Sequence, residues 1–162
     1  MSFPTILYPT DFSRHSRAAL RFATTLAKQQ GGKLLIAHVA HPAEPPTVVA
    51  GAGIGTYPVT GVMAPMPDEA TNVAHQTIEQ HLTELKPTED IPYEHRLLEG
   101  TPADEIVRLA NEAEATQIVM GSHGRRGLSR VLMGSVAESV LRQAECPVTI
   151  VKADVADLQE ET

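Results

Sequence analysis

Tryptophan is absent, cysteine occurs once, and aromatic residues make up only 4% of the 162-residue chain. A single cysteine, Cys146, excludes an intrachain disulfide. Its position just before a β-type run suits a small buried hydrophobe better than a nucleophile. So few aromatics leave no platforms on which single-stranded nucleic acid could stack, and they predict an aliphatic core. No apolar run approaches the ~20 residues that span a bilayer. The opening Met1-Ser2-Phe3-Pro4-Thr5 lacks the charged and apolar regions of a signal peptide, so the expectation is a cytoplasmic chain without membrane insertion. Positive charge is scarce too. Thirteen Lys and Arg against twenty Asp and Glu give a net charge of −7, which argues against general affinity for nucleic acid or an anionic membrane surface.

Hydrophobic residues at 42% are enough to build one core without metal or disulfide support. One domain over 1–152 is expected, followed by an acidic tail, 153–162, that carries Asp154, Asp157, Glu160 and Glu161. Thr5-Ile6-Leu7-Tyr8 reads as a short buried strand stopped by Pro9, with Asp11 or Ser13 able to cap the helix that follows. On that helix Ala18, Ala19, Phe22, Ala23, Leu26 and Ala27 form one stripe, and Gly31-Gly32 closes it. Leu34 to Val39 is a nearly continuous apolar strand, as in a sheet covered on both faces.

From Ala40 to Pro67 the periodicity stops: six prolines, four glycines and one charged residue, Glu44, mark a variable loop of about 40–67. Its Gly51-Ala52-Gly53-Ile54-Gly55 has neither the spacing nor the flanking elements of a dinucleotide fingerprint. A helix from Asp68 to Pro87, a more polar strand from Ile91 to Leu98 near a sheet edge, and a helix opened by Thr101-Pro102-Ala103-Asp104 come next. Gln117 to Met120, Ser135 to Ala144 and Val148 to Val151 complete a strict strand–helix alternation. That alternation predicts an α/β, Rossmann-like, five-stranded parallel sheet with helices on both faces, here expected in flavodoxin-like order. Ligands of such sheets bind beyond the carboxyl ends of the strands, where strand order reverses.

Three loops lie at those ends, and the segment GSHGRRGLSRVLMGS, Gly121 to Ser135, has the most distinctive chemistry. Its pattern is G-x-x-G-x9-G-S. Glycines permit positive φ or close backbone approach, and successive inward amides form an anion nest. Gly134-Ser135 opens a helix, where unpaired amides and the dipole favour phosphate oxygens. Glycines at a strand-to-helix loop also occur for packing, and chemistry alone leaves both readings open. No Walker-type loop exists, since Gly32-Lys33 is followed by Leu34 and lacks the upstream glycine. His38 and His41 have no acid or cysteine at ligand spacing and read as ordinary histidines.

The stretch MGSHGRRGLSRVLMGSVAESVLRQAECPVTIV, Met120 to Val151, resembles the C-terminal signature of the universal stress protein family in its ATP-binding branch. ILYPTDFSRHSRAALRFATTLA and LLIAHVA resemble that family's first strand, Asp-bearing turn and helix, and second strand. The resemblance implies an ATP site, with Mg²⁺. Pro9, Thr10 and Asp11 would lie beside the nucleotide, with Asp11 near the ribose, phosphates or metal. Val39 would meet the adenine through its backbone. Met120 and Gly121 would border the ligand, and Gly124 would leave room for phosphates. Gly134, Ser135 and Val136 would bind phosphate, and His123 and Arg125 could contact it from the loop. It implies a homodimer through Val148 to Val151, compatible with a higher oligomer or with a protein partner such as a transporter or regulator. The chain has no recognisable catalytic set, which favours binding with at most slow hydrolysis. A nucleotide-processing enzyme and a ligand-free interaction module are the alternatives, and the intact glycine pattern counts against the second.

Overall fold

The computed structural model describes residues 3–40, 68–122 and 133–153. Among the described residues nine elements alternate as expected: β1 (Thr5–Pro9), α1 (Arg14–Gln29), β2 (Lys33–Ala40), α2 (Asp68–Glu84), β3 (Tyr93–Glu99), α3 (Pro102–Glu112), β4 (Gln117–Gly121), α4 (Ser135–Gln143) and β5 (Val148–Val151). The five strands form one parallel sheet in the order β3-β2-β1-β4-β5. The α/β class therefore holds. The order is the Rossmann one, however, and not the flavodoxin-like order, which would have put β2 at an edge and β3 beside β1. β3 is an edge strand, in keeping with its polar sequence.

Period-2 alternation divides the strand residues between two cores. Ile6, Tyr8, Leu34, Ile36 and Val119 face α1, together with Ala19, Leu20, Ala23, Ala27 and Leu82. Leu7, Leu35, Ala37, Ile118 and Met120 face the other way, against Ala103, Ile106, Leu109 and Ala110 of α3 and Ala137 and Val140 of α4. Small residues on α1 let the helix lie close to the sheet. Phe22, placed on the core stripe by periodicity, is instead 45% exposed, while Leu20 is buried. The stripe is centred one residue further round the helix than the sequence pattern suggested. At the far end of α1, Gln30 is the C-cap and Gly31 has φ of +63°, the left-handed turn for which glycine is favoured.

Cys146 is half-buried, packed against the α3–α4 core, and burial pushes its thiol pKa up. A raised pKa disfavours the thiolate, which agrees with a packing role. Among the described residues no helix is long and apolar enough to cross a membrane.

Candidate functional site

Strand order reverses between β1 and β4, so the crevice of this sheet opens where Pro9 and Gly121 end those strands. Past Pro9 the chain turns through Thr10, Asp11, Phe12 and Ser13 before α1 begins. The turn is tied at several points. Thr10 N–H donates to the Ala37 carbonyl at 2.8 Å, and the Thr10 carbonyl meets His38 Nδ1 at 2.7 Å. Thr10 Oγ1 accepts from Phe12 N–H at 3.0 Å and lies 3.0 Å from Ser16 Oγ. Asp11 Oδ1 accepts from Ser13 N–H at 2.9 Å, closing an Asx turn. Ser13, not Asp11, is the N-cap: its hydroxyl accepts from Ser16 N–H at 3.2 Å.

Beneath this turn, Tyr8 is wholly buried and its hydroxyl donates to the Ser16 carbonyl at 2.7 Å. Burial raises the Tyr8 pKa, opposed mainly by hydrogen bonds from Ser16 and Thr10. Its phenol is thus a neutral anchor. Phe12 adopts φ of +63°, a conformation that costs a non-glycine residue about 1–2 kcal/mol. Its ring packs 4.5 Å from His38 and 5.9 Å from His81 of α2, centroid to centroid.

On the β4 side, Ser122 is buried and joins three elements. Its N–H donates to the Val151 carbonyl at 2.9 Å, and its own carbonyl accepts from Gly134 N–H at 2.7 Å. The two ends of the Gly121–Ser135 segment are thereby drawn together, and the start of α4 is fixed at the end of β4. Gly134 is the N-cap of α4 with extended backbone, φ −71° and ψ 155°, and α4 has no side-chain cap hydrogen bond. Ser135 is exposed beside it and Val136 half-buried, so the first turn presents amides with no capping side chain at the mouth of the crevice.

The structure thus places Pro9, Thr10, Asp11, Gly121, Gly134, Ser135 and Val136 at the carboxyl end of the sheet around the switch point. Val39 lies at the same end, on β2, half-buried against the α3–α4 core. Met120 is different. Its side chain is 6% exposed and belongs to that same core, so only its backbone borders the crevice. Gly121 also has a packing reason: a Cβ there would lie 2.9 Å from the His15 carbonyl oxygen and 3.0 Å from its carbon. His123, Gly124 and Arg125 lie outside the described residues, as do Arg126 and Arg130.

Two residues at the crevice, Ser122 and His38, belong to no motif in the sequence. The Ser122 bonds to Val151 and Gly134 are made by backbone groups, which any residue type supplies. His38 carries a legible trace: it interrupts an otherwise apolar parallel strand on the face shared with Leu34 and Ile36. Among the described residues no three His, Cys, Asp or Glu are grouped to hold a metal ion by themselves.

Chains of known structure share this architecture. Universal stress protein MJ0577 of Methanocaldococcus jannaschii is 27% identical over 93% of this chain and 95% of its own. Its structure superposes with a TM-score of 0.68, covering 95% and 99% of the two chains. A universal stress protein of Archaeoglobus fulgidus in complex with dAMP, 25% identical, superposes with a TM-score of 0.57 over 93% of this chain and 98% of its own. Universal stress protein MJ0531, also of M. jannaschii, is 55% identical over 56 residues, which are 35% of this chain and 33% of the relative's length. The family model described as universal stress protein matches residues 2–152, nearly all of the fold set out above, and the chain belongs to the universal stress protein family.

Proposed function

We propose that the crevice between β1 and β4 binds an adenine nucleotide, ATP with Mg²⁺, and that the protein is a dimeric regulator with at most slow hydrolysis. The observation that carries this reading is the convergence of three features at one switch point: the braced Asp11 turn, the uncapped start of α4, and the Ser122–Gly134 hydrogen bond that holds it there. Amides at a helix start suit phosphate, and the Val39 backbone at the end of β2 suits a base edge. Pro9 and Thr10 would flank the sugar, with Met120 and Gly121 forming the floor through their backbones. Gly134, Ser135 and Val136 would hold phosphate, together with His123, Gly124 and Arg125 from the loop. Asp11 would face the ribose, the phosphates or their metal ion. The dAMP bound by the A. fulgidus relative supports an adenine nucleotide as the ligand class.

The sequence carries no recognisable catalytic set, which favours binding over turnover. Isothermal titration with ATP and Mg²⁺, read alongside the nucleotide released from the purified protein by heat, tests the proposal. Saturable binding with ATP recovered is expected. ADP or AMP recovered instead would turn the reading towards an enzyme, and no binding at millimolar ATP would overturn it.

The dimer is proposed through β5, the edge strand beside β4. Ile118 N–H bonds the Pro147 carbonyl and Ser122 N–H bonds the Val151 carbonyl, so residues 147, 149 and 151 point their polar groups towards β4. By alternation the amides of Val148 and Ile150 face the open edge. The Ile150 side chain packs against the α3–α4 core, so a charge placed there would disturb the monomer as well. Ile150→Pro is the cleaner probe, because proline at an outward-facing edge position removes the unpaired donor while leaving an apolar ring, not a charge, against the core. Sedimentation velocity is expected to show a dimer for the wild type and a monomer for I150P, with an unchanged far-UV spectrum. An I150P dimer would remove this edge from the interface.

A further inference from the structure

His38 is the one polar residue on the sheet face of β2 that otherwise carries Leu34 and Ile36, both fully buried. The β1–β2 register runs from Thr5↔Lys33 to Pro9↔Ala37, and Thr10 N–H extends the ladder by one bond to the Ala37 carbonyl. If a parallel ladder continued, the Thr10 carbonyl would next accept from the Val39 amide. Instead His38 Nδ1 stands 2.7 Å from that carbonyl. A carbonyl only accepts, so Nδ1 carries the proton. The same imidazole lies 4.5 Å from the Phe12 ring, the residue held at positive φ. One side chain thus grips the residues on either side of Asp11. Phe12 in turn contacts His81 of α2, the helix that follows the 41–67 segment.

We propose that His38 is a positioning residue of the nucleotide site: its Nδ1–H takes the Thr10 carbonyl in place of the Val39 amide, fixing the Asp11 turn and releasing that amide for the adenine ring. This rests on the adenine-nucleotide reading above. It explains why a polar ring stands where the strand pattern calls for an aliphatic residue. It also explains how β1 can leave the sheet at Thr10 without stranding a carbonyl, since the ring supplies the donor that the backbone no longer gives.

His38→Asn and His38→Leu separate this role from packing, because the Asn Nδ2 stands where Nδ1 does and can donate, whereas leucine fills the space without a donor. In titrations with ATP and Mg²⁺, H38L is expected to bind about tenfold more weakly and H38N within about threefold of wild type, the scale of one hydrogen bond. Amide exchange at Phe12 and Ser13 should quicken in H38L and stay near wild type in H38N, with α3 and β5 amides unchanged in both. Wild-type affinity in H38L, or equal loss in both variants with faster exchange throughout, would overturn the role of His38 while leaving the nucleotide reading intact. Absence of ATP binding by the wild type would overturn the nucleotide reading and the nucleotide role of His38 with it.

Discussion

Gly124→Val is expected to abolish binding of ATP and Mg²⁺ while leaving the far-UV spectrum, the unfolding temperature and the sedimentation of the protein nearly unchanged. Gly124 lies outside the described residues, but its chain neighbour Ser122 is firmly held. Ser122 is fixed by hydrogen bonds to Val151 and Gly134, and Gly124 follows it by two residues, so it stays within about 7 Å of that anchor along the chain. The anchor itself stands next to the α4 amides. A β-branched side chain would therefore enter the volume proposed for phosphate and would also exclude positive φ. Gly124→Ala should retain part of the affinity, since one methyl occupies less of that volume. Titration calorimetry of the two variants checks the order. ATP affinity of wild-type strength in G124V would place the phosphates elsewhere.

Much of this arrangement is legible in the sequence because it depends on local signals. Alternating apolar runs and amphipathic stripes mark every strand and helix, Pro102 opens α3, and Gly31 closes α1. The polar sequence of β3 predicts its edge position. Strand order is less legible. Whether β3 adds beside β2 or beside β1 depends on where its crossover packs, and that is decided by helix–sheet contacts that no short window contains. Asp11 and Ser13 are both good caps in isolation; the Asx turn uses Asp11 one step earlier and leaves Ser13 to cap.

The position of the candidate crevice is legible in the sequence, but its bracing is not. The G-x-x-G-x9-G-S pattern and the switch-point rule both lead to the ends of β1 and β4. Nothing in the pattern shows that Ser122 links β4, β5 and α4, because both of those hydrogen bonds are made by its backbone. Nor does spacing reveal that His38 reaches across from the next strand to Thr10. Arg125, Arg126 and Arg130 lie outside the described residues, and the described part of the candidate site offers backbone amides, hydroxyls, the His38 imidazole and the Asp11 carboxylate.

The first glycine of the same pattern is expected to behave in the opposite way to the second. At Gly121 the ideal Cβ position is 2.9 Å from the His15 carbonyl oxygen and 3.2 Å from the Ser16 nitrogen, both backbone atoms of α1. Neither can swing aside as a flexible side chain would. His15 and Ser16 are held in place by Tyr8, whose hydroxyl bonds the Ser16 carbonyl, and by Ser13, whose side chain caps the helix. A side chain at 121 must therefore push α1 off the end of β4 or distort the strand. Overpacking of this kind costs about 1–3 kcal/mol, and Gly121→Val, with a branched side chain, is expected near the upper end. For a chain of this size that is a fall of roughly 6–12 °C in unfolding temperature. Nucleotide affinity should fall as well, because the displaced turn carries Thr10 and Asp11. Differential scanning calorimetry with and without ATP and Mg²⁺ distinguishes the two glycines: G121V should melt early yet regain part of the loss with ligand, while G124V should melt like wild type and gain nothing. A G121V protein as stable as wild type would mean that α1 does not rest on Gly121 in solution, and the packing reason given for this glycine would be withdrawn.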